Sequence, residues 1–263
     1  MKRIGNLYEK VCSIENLQLA DEKARKGKLR TYGVIEHDKK REVNLLKLRE
    51  TLLNGTFHTS KYDVFTIYEP KEREIYRLPY FPDRILHHAI MNVLEPIWVS
   101  TFTADTYSCI KNRGIHAAAK KVKQALREDP EGTTFCLKLD IRKFYPSINH
   151  DVLKSILRRK LKDKRLLRLL DEIIDSADGV PIGNYLSQYF ANLYLTYFDH
   201  WIKEQKRVKH YFRYADDIVI LASDKSYLHS LMGEIRAYLG DLKLEVKGNW
   251  QVFPVAARGI DFV

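Results

Sequence analysis

Two adjacent carboxylates, Asp216 and Asp217, sit between β-prone runs. Tyr211-Phe212-Arg213-Tyr214 leads in, Ile218-Val219-Ile220-Leu221 leads out, and the pattern reads as a hairpin with the acids at its tip. Hard oxygen donors at such a tip can hold a magnesium ion. The same residues also fit a solvated turn, because Asp hydrogen-bonds its own backbone there. The chemistry therefore depends on a third carboxylate, and Asp140 supplies one at the end of the apolar run Phe135-Cys136-Leu137-Lys138-Leu139. An acid ending a buried strand costs several kcal/mol unless a cation or a donor meets it. Arg142 or Lys143 could do so locally. Three carboxylates from two segments converging on one sheet suit phosphoryl transfer from a nucleoside triphosphate. That reaction uses two magnesium ions about 4 Å apart, one lowering the pKa of the attacking hydroxyl and one neutralising the leaving pyrophosphate.

The elements that must position these acids follow from the apolar patterning. Residues 1 to about 55 mix Glu, Lys and Arg with Leu45, Leu46, Leu48, Leu52 and Leu53, a helical pattern ending near Asn54-Gly55. Lys61 to Leu78 reads as two short strands joined by the basic turn Pro70-Lys71-Glu72-Arg73. Pro82 marks a helix start, and Ile85, Leu86, Ala89, Ile90, Val93, Leu94 and Ile97 form its stripe, with a kink or an end at Pro96. A helix over 116–127, a loop at Asp129-Pro130-Glu131-Gly132 and a strand from Thr133 to Ile141 follow, and Asn149 is placed to cap the next helix. Helices are predicted at about 150–161, 164–176, 185–204 and 225–239, and strands at 209–214, 218–223 and 242–247. Interleaving without a regular βαβ repeat gives an α+β fold.

The 263 residues can bury one large core or two modest lobes. No apolar run approaches the ~20 residues of a spanning helix and no signal core follows the first residues, so a cytoplasmic protein with no membrane partner is expected. Cys12, Cys109 and Cys136 are odd in number and far apart, which excludes a disulfide framework and a zinc spacing. Lys and Arg outnumber Asp and Glu by 45 to 34, a net charge of +11, and a polyanion is the simplest partner for that surface. The excess concentrates in Lys120-Lys121-Val122-Lys123, in Arg158 to Arg165 and in Lys203 to Lys209; each run also fits a solvated helix face.

Tyr214-Ala215-Asp216-Asp217 resembles the Y-x-D-D core of reverse transcriptases, and with Asp140 the likeness runs in the family's order from about Arg77 to Val263. The resemblance implies right-hand polymerase fingers and palm, with an antiparallel palm sheet backed by helices. An N-terminal helical extension would cover 1–60, fingers 61–132 and palm 133–263, with about 150–185 an inserted part of the fingers. It implies catalysis by Asp140, Asp216 and Asp217, and two Mg2+ ions, replaceable by Mn2+, at Asp140, Ile141, Asp216 and Asp217. Tyr145, five positions after the first aspartate, matches the aromatic residue that clashes with a 2′-hydroxyl, which implies DNA synthesis. Tyr214 matches the tyrosine near the primer end. Arg77 matches an arginine on the triphosphate, and Lys71 and Arg73 are further phosphate candidates. Thr106 to Gly114 is similar to a block that supports template and nucleotide, with Arg113 toward phosphate. Template RNA, a primer and dNTPs are the implied partners.

One departure narrows the family. Where most members read Q-G-x-x-x-S-P, this chain reads Ile182-Gly183-Asn184-Tyr185-Leu186-Ser187-Gln188, the form found in reverse transcriptases of diversity-generating retroelements; Asn249 to Pro254 resembles that group's later block. The resemblance implies that Ile182 and Gly183 stand at the nucleotide site, and the missing glutamine implies error-prone synthesis. A small basic accessory protein is implied as a partner. The family's thumb would follow Val263 and is not in the sequence, so either the chain is truncated or another protein supplies the grip on the duplex; Lys247 lies near the family's lysine after the tetrad, without a fixed register. Alternatives are a group II intron or defence-associated reverse transcriptase, and a palm module that binds nucleic acid without catalysis.

Overall fold

The computed structural model describes residues 3–68 and 72–262. In chain order the elements are α1 (Tyr8–Cys12), α2 (Ile14–Ala24), α3 (Tyr32–Asp38), α4 (Arg41–Asn54), β1 (Asp63–Ile67), β2 (Arg73–Arg77), α5 (Ile85–Val99), α6 (Ile115–Glu128) and β3 (Phe135–Asp140). They continue with α7 (Phe144–Ser147), α8 (His150–Lys160), α9 (Lys164–Ile174), α10 (Tyr185–Tyr194), α11 (Thr196–His200), β4 (His210–Tyr214), β5 (Asp217–Ala222), α12 (Lys225–Asp241) and β6 (Gln251–Pro254). They form two compact units.

The first unit holds the described residues up to Ser100 together with Leu153–Phe190. Its centre is α5, whose Ile85, Leu86, Ala89, Ile90, Met91, Leu94 and Trp98 are all buried. Each of the Ile, Leu and Met side chains among them, removed from water, stabilises the fold by roughly 1.5–3 kcal/mol. The helix runs through Pro96 and ends at Val99, so the proline marks its last turn rather than a kink. At the other end Pro82 lies in a π-helical turn, Tyr80–Arg84, ahead of α5. α4 stops where expected, on Gly55 in the left-handed conformation at φ +68°. The antiparallel hairpin β1–β2 is the sheet element of this unit.

The second unit comprises Thr101–Val152 and Ala191–Val263. Its four-stranded sheet runs β4-β5-β3-β6, antiparallel at every step. Ala118, Val122 and Ala125 of α6 pack with Cys136, Phe212, Val219, Leu221 and Phe253, and α12 lies along β3, β5 and β6 with Leu228, Leu231, Met232, Ile235 and Leu239 buried. The continuous apolar run of β5 follows from cover on both sides. Residues 101–132 join this unit, tied in by the bridge between Thr106 and Arg213.

Two expectations need correction. The long helix over 185–204 is broken at Leu195 into α10, α11 and a π-helical turn at Trp201–Gln205. The strand expected at 242–247 is a single bridge, Ile141 to Val246. The alternation of Leu244 and Val246 is strand-like. However, Lys243 at φ +60° turns the chain just before them and a turn at Gly248-Asn249 follows, leaving too little length for a ladder. β6 takes the fourth place in the sheet instead.

Candidate active site

Strand register brings the site together. β3 and β5 pair Asp140 with Asp217, and β4 and β5 pair Tyr214 with Asp217, so the three side chains stand in one row on one face of the sheet. Directly opposed residues on antiparallel strands have Cβ atoms roughly 5 Å apart. Asp216 occupies the turn between the strands, after Ala215, which is left-handed at φ +53°. The Ile141 N–H donates to the Asp216 carbonyl at 3.3 Å, which ties the turn to the end of β3. Ile141 itself is fully buried, so it meets the site through its backbone.

Crowding the acids has an electrostatic cost. Burial, followed by the negative charge of Asp140, pushes the Asp216 carboxyl up to about 6. Two ammonium groups offset part of the charge: Lys247 Nζ donates to Asp140 Oδ2, and Lys138 Nζ lies 3.9 Å from Asp217 Oδ2. The Lys247 N–H also donates to the Asp140 carbonyl at 2.8 Å. Asp140 Oδ1 is buried with no hydrogen-bond partner, the condition that a cation would relieve. Among the described residues no three His, Cys, Asp or Glu side chains converge as a ready-made metal cluster. What the structure holds is the facing pair Asp140 and Asp217, with Asp216 at the adjoining turn and lysines drawn onto the pair; these acids are termed the acid row. Hard oxygen donors, mutual repulsion and an orphaned buried oxygen fit a divalent ion in this place.

Tyr145 stands on α7 with its ring edge-on to Phe144, centroids 5.6 Å apart. Burial chiefly, then the neighbouring Cys109 and Asp216, hold its hydroxyl above the ordinary tyrosine range. Lys143, left-handed at φ +44°, makes the sharp turn from β3 into that helix. The Tyr214 hydroxyl is raised by burial and then by the neighbouring Cys109, with Ser108 acting in the opposite direction. Arg113 donates from Nη1 to the Thr103 and Thr106 carbonyls at 2.7 and 3.0 Å, so it organises its own loop.

The remaining candidates belong to the first unit. Arg77, at the end of β2, pairs with Asp63 and lies over the Phe65 ring, 5.5 Å from its centroid. The Ile182 carbonyl accepts from the Tyr76 N–H at 2.8 Å, which fastens the 182–183 segment to β2. Gly183 has φ +116°, and a Cβ there would lie 2.8 Å from the Tyr76 carbonyl oxygen, so only glycine fits. Asn184, which follows, donates to the Tyr62 hydroxyl at 3.2 Å. Lys71 lies outside the described residues.

Sequence reading missed Lys138 as a site residue. Its signal is a charge on the inward-alternating strand 135–140, where a lysine needs an acid opposite. It also missed Asp199, whose signal is the inward Arg213 of β4, a cation in an apolar strand that requires a buried carboxylate.

An antiparallel sheet with acids on adjacent central strands defines the class anticipated above, a palm-like domain. Residues 69–252 match the family described as reverse transcriptase (RNA-dependent DNA polymerase), and the chain belongs to that family. It is 26% identical to the protein YkfC of Escherichia coli K12 over 84% of this chain and 70% of that protein. It is 23% identical to the group II intron-encoded protein LtrA of Lactococcus lactis subsp. cremoris over 67% of this chain, and there it spans 31% of the relative's length. Among solved structures, apo telomerase from Candida tropicalis, truncated from the C-terminal domain, superposes with a TM-score of 0.56 at 13% identity, covering 79% of this chain and 52% of that one. That likeness concerns the fold. No described helix is long and apolar enough to cross a membrane.

Proposed function

We propose that this chain performs template-directed DNA synthesis on RNA, with Asp140, Asp216 and Asp217 as the acids that hold divalent ions. The observation that carries this reading is the register pairing of Asp140 with Asp217 beside the raised Asp216. Two magnesium ions, with manganese as a substitute, would supply a lowered pKa at the primer 3′-hydroxyl and neutralisation of pyrophosphate. Ile141 joins them through its backbone. Lys247 and Lys138 hold the acids' charge until cations arrive. Tyr145 excludes a 2′-hydroxyl, Tyr214 supports the primer end, and Arg77 with Lys71 meets the triphosphate. Ile182 and Gly183 are the nucleotide-contacting candidates of the first unit, and Arg113 organises the Thr103–Thr106 loop of the second. In this reading 133–263 is the palm, and 61–132 with the inserted segment at about 150–185 belongs to the fingers.

The I-G-N-x-x-S-Q block supports a retroelement that diversifies its target, working with a small basic accessory protein. The group II intron-encoded relative supports an intron-type enzyme instead. Primer extension on an RNA template tests both levels. Template-dependent dNTP incorporation that Asp216→Asn abolishes supports the chemistry, and equal activity in the variant contradicts it. Excess misincorporation opposite template adenines favours diversification; its absence favours the intron type. Tyr145→Ala is expected to admit ribonucleotides, and a variant that gains none removes Tyr145 from the gate.

A further inference from the structure

We propose that Arg213 is a positioning residue: clamped on buried Asp199, its guanidinium sets the peptide plane between Ala215 and Asp216 and so the reach of Asp216 toward Asp140. The inference rests on the reading of the acid row as a divalent-ion site and goes beyond it.

Arg213 and Asp199 are both fully buried. Asp199 Oδ1 accepts from Arg213 Nε at 2.7 Å and from the Tyr211 hydroxyl at 2.6 Å; Oδ2 accepts from Arg213 Nη2 at 2.6 Å and from Thr106 Oγ1 at 2.9 Å. Four donors on two oxygens satisfy the carboxylate. The fork therefore has one nitrogen to spare, and Nη1 donates to the Ala215 carbonyl at 3.0 Å and to Asn192 Oδ1 at 3.3 Å. The backbone of Arg213 is fixed as well, its N–H donating to the Asp105 carbonyl at 2.9 Å and its carbonyl accepting from the Tyr107 N–H at 2.9 Å.

The recipient of that spare nitrogen is the informative part. Ala215 is left-handed, a conformation that disfavours a residue with a Cβ by roughly 1–2 kcal/mol. Its carbonyl shares a peptide plane with the Asp216 N–H. A rigid donor on that carbonyl holds the plane and the strained turn together, one residue before the acid. A buried ion pair alone is poor evidence of a stabilising role, since apolar replacements are often neutral. An arginine that grips its acid with two nitrogens and the turn with a third does what neither a lysine nor an apolar pair can reproduce.

The test measures Mn2+ affinity of the full chain by electron paramagnetic resonance of free Mn2+, without nucleotide, alongside cooperative thermal melting. The variants are Arg213→Lys, which keeps the charge on Asp199, and the double replacement Asp199→Leu with Arg213→Met, which leaves no charge buried. Folded variants are expected to bind Mn2+ 5- to 20-fold more weakly than the parent. Affinity within twofold of the parent in either folded variant overturns the positioning role. If neither variant folds, the pair is structural only and the inference fails. Asp216→Asn separates the two levels. A parent that binds no Mn2+, or one whose binding survives Asp216→Asn, overturns the site reading and the inference with it. Loss in Asp216→Asn without loss in Arg213→Lys overturns the inference alone.

Discussion

Asp199 and the acids Asp140, Asp216 and Asp217 are carboxylate sites in one unit, served by the same hairpin, and they are built on opposite terms. Asp199 has no exposure and receives four donors, three of them from β4 side chains. The acid row is partly open, pairs like charges, leaves Asp140 Oδ1 without a partner and relies on lysines from elsewhere in the chain. A satisfied network rigidifies a fold, whereas an unsatisfied one lowers stability and marks where something else must bind. Asp199 is a carboxylate with every need met inside the fold, and Asp140 is one whose Oδ1 is left unmet.

Breaking the satisfied member should have the largest effect on stability. Asp199→Ala leaves the Arg213 charge buried and unpaired, which costs about 3–5 kcal/mol, and urea unfolding should show the loss. A cost near that of a surface mutation would erase the contrast. Replacing a member of the row should do the reverse. Asp216→Asn is expected to lower incorporation by ~10³-fold or more, the several kcal/mol assigned to cation-assisted transfer, while the melting temperature in EDTA stays level or rises because a repulsive charge is gone.

A pH series sharpens that asymmetry. The folded Asp216 carboxyl sits at about 6 against an ordinary value of 3.8. A raised acid contributes stability that is complete below about 3.8 and lost as pH climbs through about 6. In metal-free buffer the parent should therefore lose melting temperature relative to Asp216→Asn between pH 4 and 6.5; parallel curves would contradict the crowding. The smallest expected effect comes from Lys247→Met. With its ammonium gone from Asp140, Mn2+ should bind roughly 2- to 5-fold more tightly, within the ~1 kcal/mol typical of a partly exposed ion pair. Weaker binding would mean that Lys247 holds the acid in place rather than competing for it.

How far the sequence reveals this contrast follows from the physics of each part. Asp140 was legible because an apolar strand running into an acid is costly on its face, and the tip acids because β-prone runs flank them. Their opposition was not, since the pairing of Asp140 with Asp217 is set by sheet order across distant segments. The place of Lys247 beside Asp140 was hidden for the same reason: the bridge at Val246 depends on turns at Lys243 and Gly248, and periodicity describes only what lies between them. Nothing local distinguishes Asp199 on its helix; its role depends on Arg213 of a separate strand. The helix break at Leu195 was hidden by an apolar stripe that continues through it. By contrast α4, α5, α6 and β3 followed from caps, stripes and alternation, which are local.

The most direct measurement is the structure of the full chain crystallised with Mn2+ and a dNTP, with anomalous scattering locating the ion. The account predicts an anomalous peak ligated by Asp140 and the hairpin-tip acids, with Lys247 displaced from Asp140. A peak elsewhere, or none with Lys247 still in place, would contradict it.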